Sequence, residues 1–309
     1  MRNVLIGLSI IGLSFSVNSC NKDDQEKGTV NFEITDAPID DASVEGAFVT
    51  VADVKADGNS VEGFNKTTID LLAYQRGNTK LLSSSELDAS SYSNVTLVLD
   101  YDEDADGNSP GCYIEDVEGN KHALTSGSSE ITSNHSFMVE SEGQSELVFD
   151  FDLRKNIQRT QDTTDQYNFV TGTEMENGVR VVNKSETGVV NGNCENSGSN
   201  GDKVVVYAYA QGTYDQETET SGQGQSNVMF ANAVTSAEVD ANGDFEMHYL
   251  EEGAYELKYC SYEENSEGKM MLNGQLSVNA LGSVNTDNVS VSSSSSVTVD
   301  VEITGLLGL

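Results

Sequence analysis

Apolar residues in this chain recur at every second position in short runs, and no long stretch shows the 3.6-residue spacing of an amphipathic helix. Val30, Phe32 and Ile34 alternate with polar residues, and Ala47 to Val54 reads as a second strand. Thr68 to Leu72 is a further short apolar run. Val95, Leu97, Leu99 and Tyr101 line one face of another strand, and Leu147, Phe149, Phe151 and Leu153 line one more. Asp57-Gly58-Asn59 and Glu176-Asn177-Gly178 are turn sequences between such runs. Seven to nine strands are expected between Thr29 and Asn183. One apolar face per strand is the pattern of a β-sandwich.

The second half repeats the pattern after a polar, Gly- and Asn-rich stretch, Ser185 to Gly201, which marks a boundary. Val204 to Ala210 is a strand, and residues 211–227 read as a disordered polar loop. Ala233 to Tyr259 holds two strands around a hairpin at Asp240-Ala241-Asn242-Gly243, with Glu251-Glu252-Gly253 turning into a third. Met270 to Leu276 reads as another hairpin. Val297, Val299, Val301 and Ile303 form a closing strand. The fold class is therefore all-β, with two β-sandwich domains over residues 29–183 and 184–309.

Residues 1–19 read as an export leader, not as structure. Arg2 precedes an apolar core, Val4 to Phe15, that is shorter than the roughly 20 residues a membrane span needs. Val17-Asn18-Ser19-Cys20 resembles a lipobox, which implies cleavage before Cys20 and acylation of that cysteine. The chain would then hold a membrane by acyl chains such as palmitate, each buried methylene adding about 0.8 kcal/mol. Residues 20–28 form a charged tether with a reach of about 30 Å. The Lys22-Asp23-Asp24 run resembles the acidic export signals of surface lipoproteins of Bacteroidota. A cell-surface position on the outer membrane is the expectation, and a periplasm-facing position is the alternative.

Charge narrows the partners. Without the leader, which carries only Arg2, 15 basic side chains face 51 acidic ones. So acidic a chain does not suit DNA or RNA, whose phosphates need clustered Lys and Arg. It suits solubility, repulsion between copies, and affinity for divalent cations. Three cysteines remain besides Cys20, and none forms a CxxC pair. Cys194 and Cys260 fall in one expected domain and are paired here as a disulfide, leaving Cys112 as a thiol.

Two stretches resemble known families. Ile34-Thr35-Asp36-Ala37-Pro38, Phe48 to Val51, Ile69 to Leu72, Val95 to Leu99, Phe149-Asp150-Phe151-Asp152 and Val179 to Val182 resemble domain of unknown function family 4382 (DUF4382) over roughly 28–183. That resemblance implies a β-rich fold in a surface lipoprotein and no catalytic residues. Asn242-Gly243-Asp244-Phe245 followed by Gly253-Ala254-Tyr255 resembles the carboxypeptidase-regulatory or transthyretin-like sandwich over roughly 186–309. Such a module implies a non-catalytic accessory or spacer role, and the polar insertion at 211–227 departs from it.

Chemistry-bearing groups are few. Asp102, Asp104 and Asp106 with Gly107 match the first half of an EF-hand-type loop, a possible calcium site. Position 12 of such a loop is Tyr113 and no helices flank it, so a full EF-hand is excluded; Glu115 is a candidate late ligand. The other reading of the loop is an acidic hairpin tip. Asp150 and Asp152 leave one sheet face together, at a spacing within the roughly 5–10 Å that glycoside hydrolysis uses. A solvent-facing strand edge is their commoner meaning. His122, His135 and His248 are scattered, and HExxH, GxSxG, P-loop and GxGxxG motifs are absent. Asp162-Thr163-Thr164 fits a glycosylation pattern of exported Bacteroidota proteins, with Thr163 as acceptor. The expectation is a non-enzymatic binding, adhesion or structural lipoprotein with a glycan or protein ligand. The alternatives are a glycan-binding accessory protein stacking sugars on Tyr207, Tyr209 and Tyr214, and a hydrolase using Asp150 and Asp152.

Overall fold

The computed structural model describes residues 26–37, 44–159, 166–266 and 269–307. The chain is all-β, and its buried side chains fall into two main cores. The first gathers Val30, Phe32, Ile34, Val49, Val51, Leu97, Phe149 and Phe151, up to Val181. The second starts at Val190 and includes Val206, Phe245, Met247, Leu257, Val301 and Ile303. The alternating positions read from the sequence are the buried ones.

The first core lies between two sheets. In one, the strand Lys27–Ala37 is central, pairing antiparallel with Lys80–Asp88 and parallel with Gln144–Asp152. Val179–Asn183 closes the other edge of that sheet, antiparallel to Gln144–Asp152. The facing sheet is built on Val44–Ala56, flanked by Val95–Leu99 and Tyr113–Asp116. The Asp57-Gly58 turn has both residues at positive φ, 46° and 77°, the form that closes a two-residue hairpin.

A second sheet system curls around the second core, in the order Thr235–Glu238, Lys203–Ala210, Gly253–Glu264, Met270–Ala280, Val301–Leu307, Thr187–Glu195, Asp244–Glu251. Its two end strands, Thr235–Glu238 and Asp244–Glu251, pack against each other, so the sheet nearly closes on itself. Met270–Ala280 is one continuous strand across Asn273-Gly274, not the hairpin expected there. A Cβ on Gly274 would lie 2.7 Å from Leu307 O, so the glycine serves close packing against the neighbouring strand rather than a turn.

Residues 211–234 are a packed layer, which corrects the expected disordered loop. Lys203–Ala210 and Gly253–Glu264 send Val205, Tyr207, Tyr209, Cys260 and Tyr262 to the outer face of the sheet, where Phe230 and Ala233 cover them. Phe230 stacks on Tyr207 with ring centres 4.1 Å apart. Within the layer a short helix, Gln216–Thr220, is capped by Asp215 and carries the buried Glu219. Glu219 accepts from Tyr209 Oη, Asn232 N and Asn232 Nδ2, and from Gln223 Nε2. A buried carboxylate with four donors is satisfied, so it holds the segment in place.

Candidate functional site

Asp150 and Asp152 were expected on the open face of a strand. The structure buries both, at 5% and 4% exposure, because the second half of the chain covers that face. Val148 and Val182, on the same face, pack against Tyr249. Cross-strand register places Arg180 opposite Asp150, and its Nε and Nη2 lie 2.8 and 2.6 Å from the Asp150 carboxylate. The rest of the guanidinium donates to Tyr249 O at 2.6 Å. Asp152 caps the short helix Leu153–Asn156 by accepting from Lys155 N, and it pairs with Arg154 at 2.9 Å.

Arg154 and Lys155 repeat the pattern of Arg180. Arg154 Nη1 donates to Met229 O at 2.8 Å, and Lys155 Nζ donates to Ala233 O. Each of the three cations thus has a carboxylate of the first core at one end and a backbone carbonyl of the second half at the other. Burial pulls the Lys155 ammonium below its ordinary range, while Asp152 opposes that shift. Removing one partner of a buried ion pair costs about 3–5 kcal/mol. The clue in the sequence was the short basic supply: 3 of 16 basic residues lie at or opposite Phe149-Asp150-Phe151-Asp152.

Beside this network lies a cavity of about 150 Å³ between the two cores. Asp36, Gln75, Arg76 and Asp150 line it from the first core, and Ser236, Glu238, Glu246 and His248 from the second. Asp36 accepts from Leu153 N at 3.2 Å and Gln75 Nε2 at 3.1 Å. Burial, reinforced by Asp152 and Asp150, pushes its carboxyl well above the usual carboxylate range. Two non-glycine residues at the cavity hold left-handed backbone, Arg76 at φ 53° and Tyr249 at φ 58°. Tyr249 Oη donates to Gly77 O at 2.6 Å. A Cβ on Gly77 would lie 2.5 Å from the His248 ring, so this turn requires glycine both for space and for its φ of 77°. Strained positions of this kind persist where surrounding structure over-determines them.

The other expected sites are placed as follows. Asp102, Asp104 and Asp106 do not converge. Asp104 turns its carboxylate onto its own loop, accepting from Asp106 N, Asn108 N and Asn108 Nδ2, which holds it below the usual range. Asp100 does the same for Asp102 N and Glu103 N while pairing with Lys66 at 2.8 Å. Asp116 and Asp240 make the same turn, each accepting from the backbone N–H two and four residues on, with Gly119 and Gly243 at positive φ. Among the described residues the acidic loop thus shares its turn with those at Asp116 and Asp240. Among the described residues no group of three or more His, Cys, Asp or Glu could hold a metal ion.

Cys194 and Cys260 form no disulfide, which corrects the expected pairing. Cys194 points into the second core while Cys260 points to the outer layer, on opposite faces of the curled sheet. Cys112 is also a buried thiol, and burial pushes both it and Cys194 up to about 12. Tyr207 and Tyr209 are fully buried, so their rings are core and cannot stack on a sugar, while the partly buried Tyr214 packs edge-on against Tyr209. His122 pairs with Asp116 at 2.8 Å and His248 with Glu246 at 3.2 Å. Cys20 and Thr163 lie outside the described residues. No helix of the described residues is long and apolar enough to cross a membrane.

Several bacterial proteins of solved structure show similarity to this chain at low identity. The TIE protein of Bacillus anthracis is 12% identical, with a TM-score of 0.20, over 90% of this chain and 34% of its own. The chain therefore spans about a third of that protein's length. The minor pilin of Streptococcus agalactiae is 12% identical over 90% of this chain and 97% of its own, with a TM-score of 0.21. The major pilin subunit BcpA of Bacillus cereus is 10% identical over 90% and 70%, with a TM-score of 0.22. No curated protein matches the chain. A family model also matches: residues 27–170 are similar to DUF4382, a domain of unknown function, and that stretch covers most of the first core.

Proposed function

We propose that this chain is an exported lipoprotein, acylated at Cys20 and displayed on the outer face of a Bacteroidota-type outer membrane, where it acts as a non-enzymatic binding or adhesion module. The observation that carries the non-enzymatic part is the fate of Asp150 and Asp152. Each is neutralised by a cation that also grips the second half of the chain, so both are committed to holding structure. A general acid–base pair needs carboxylates that reach a substrate and exchange protons with it.

Residues 184–309 serve, on this reading, as a carboxypeptidase-regulatory or transthyretin-like accessory module. The Gly243 turn, the buried Phe245 and the buried Tyr255 support that assignment. The lipobox-like run Val17 to Cys20 and the acidic tether support the address. Net charge of −35 supports a solvated surface that repels its own copies.

Protease shaving of intact cells tests the address. The expected result is loss of the full-length chain from untreated-permeability cells, with Cys20→Ser releasing the protein from the membrane fraction and ending palmitate incorporation. Full protection of the wild-type chain would refute surface display.

A further inference from the structure

We propose that the cavity between the two cores is a binding site for one neutral polyhydroxylated unit, the chemistry of a single uncharged sugar. This rests on the binding-module reading above and names its ligand class.

The first observation is an unpartnered group. Ser236 is 4% exposed, and its hydroxyl has no hydrogen-bond partner. Thr235 to Glu238 all border the cavity, and within that run Ser236 and Glu238 stand on the strand face opposite Ala237, which packs in the second core. A buried hydroxyl without a protein partner is costly, so it offers its hydrogen bond to a molecule that occupies the cavity. At about 150 Å³ the space exceeds what one water requires and falls below a drug-sized pocket.

Charge accounting then selects the ligand. Asp150 is paired with Arg180 at 2.6 Å, Glu238 with Lys203 at 2.9 Å, and Arg76 with Asp240 at 3.4 Å. Asp36 is held toward its protonated form by burial. Glu246, at the exposed mouth, shares its hydrogen bond with His248. The lining thus offers many donors and acceptors with its charges already met. A charged ligand would find no unmatched counter-charge in the interior, and an apolar one would strand these polar groups. Alternating hydroxyls satisfy both requirements. The left-handed residues Arg76 and Tyr249 hold the two walls in register.

The test titrates the full chain, held in a non-glycosidic detergent, with neutral monosaccharides and with neutral oligosaccharides ending in the same units, read by calorimetry. Saturable binding is expected. Ser236→Ala should weaken it roughly two- to tenfold, the effect of one hydrogen bond, and Ser236→Leu, which fills the space, should abolish it. Binding of the monosaccharides marks a free sugar as the source, whereas binding of oligosaccharides alone marks a glycan end. Thermal melts confirm that each variant is folded, and if Ser236→Leu fails to fold, Ser236→Ala decides. No saturable binding by the folded wild type, binding unchanged in Ser236→Ala, or binding only of ethanolamine or acetate would overturn the proposal. Absent sugar binding with normal protease shaving sinks this inference alone; protection from shaving sinks only the surface address.

Discussion

Asp36 accepts hydrogen bonds from Gln75 Nε2 and Leu153 N, and neither donor brings a positive charge. Its carboxyl is raised in the folded protein, so the folded state holds that proton more tightly than the unfolded chain does. The stability this gives is fully present below the unfolded pKa and is lost as pH rises through the folded one. Asp36→Asn is therefore expected to stabilise the protein at pH 7 by about 1 kcal/mol, with the gain shrinking toward pH 4. Urea midpoints at the two pH values check this, and a variant less stable than wild type at pH 7 would contradict it. Asp36 was visible in the sequence only as part of a family-like Asp-Ala-Pro element. Nothing local to it could show that a strand 200 residues on covers it. The same blindness hid the role of Asp150 and Asp152, whose alternation with Phe149 and Phe151 reads equally well as a solvent face.

Strands were legible because their partners are regular: a period of two in sequence becomes one buried face in any sandwich. Val30 to Ile34, Val95 to Leu99 and Leu147 to Phe151 all behave this way. The Asp57-Gly58 and Asp240–Gly243 turns were legible because positive φ restricts residue choice. The segment 211–234 was not, since a layer held by single long-range contacts has no period to read. Its anchor is Glu219, whose four donors come from Tyr209, Gln223 and Asn232. Glu219→Ala strands those donors and is expected to cost about 2–4 kcal/mol. A Glu-specific protease reads the same claim directly. Wild-type chain should resist cleavage at Glu217 while the variant is cut there, and rapid cleavage of native wild type at Glu217 would show that the layer is not held.

At the scale of the whole molecule, the two cores are joined by a network of charges and hydrogen bonds beside an apolar cluster. Arg180, Arg154 and Lys155 tie the first sheet to Tyr249, Met229 and Ala233. Glu174 adds a fourth tie by accepting from Ser226 N and Ser226 Oγ; against the upward pull of burial, these bonds and those from Thr171 hold its carboxyl down to about 2. Val148, Val182 and Tyr249 form one apolar cluster of the junction, and Val228 packs against the first core. A junction of this kind transmits unfolding from one core to the other, because opening it leaves buried charges without partners. Calorimetric unfolding of the full chain at pH 7 therefore tests the account most directly. It should show one cooperative transition for wild type, and Arg180→Ala should lower stability by about 3 kcal/mol and split the transition in two. Two independent transitions in the wild-type protein, or an Arg180→Ala profile indistinguishable from it, would contradict the claim that these carboxylates exist to hold the cores together.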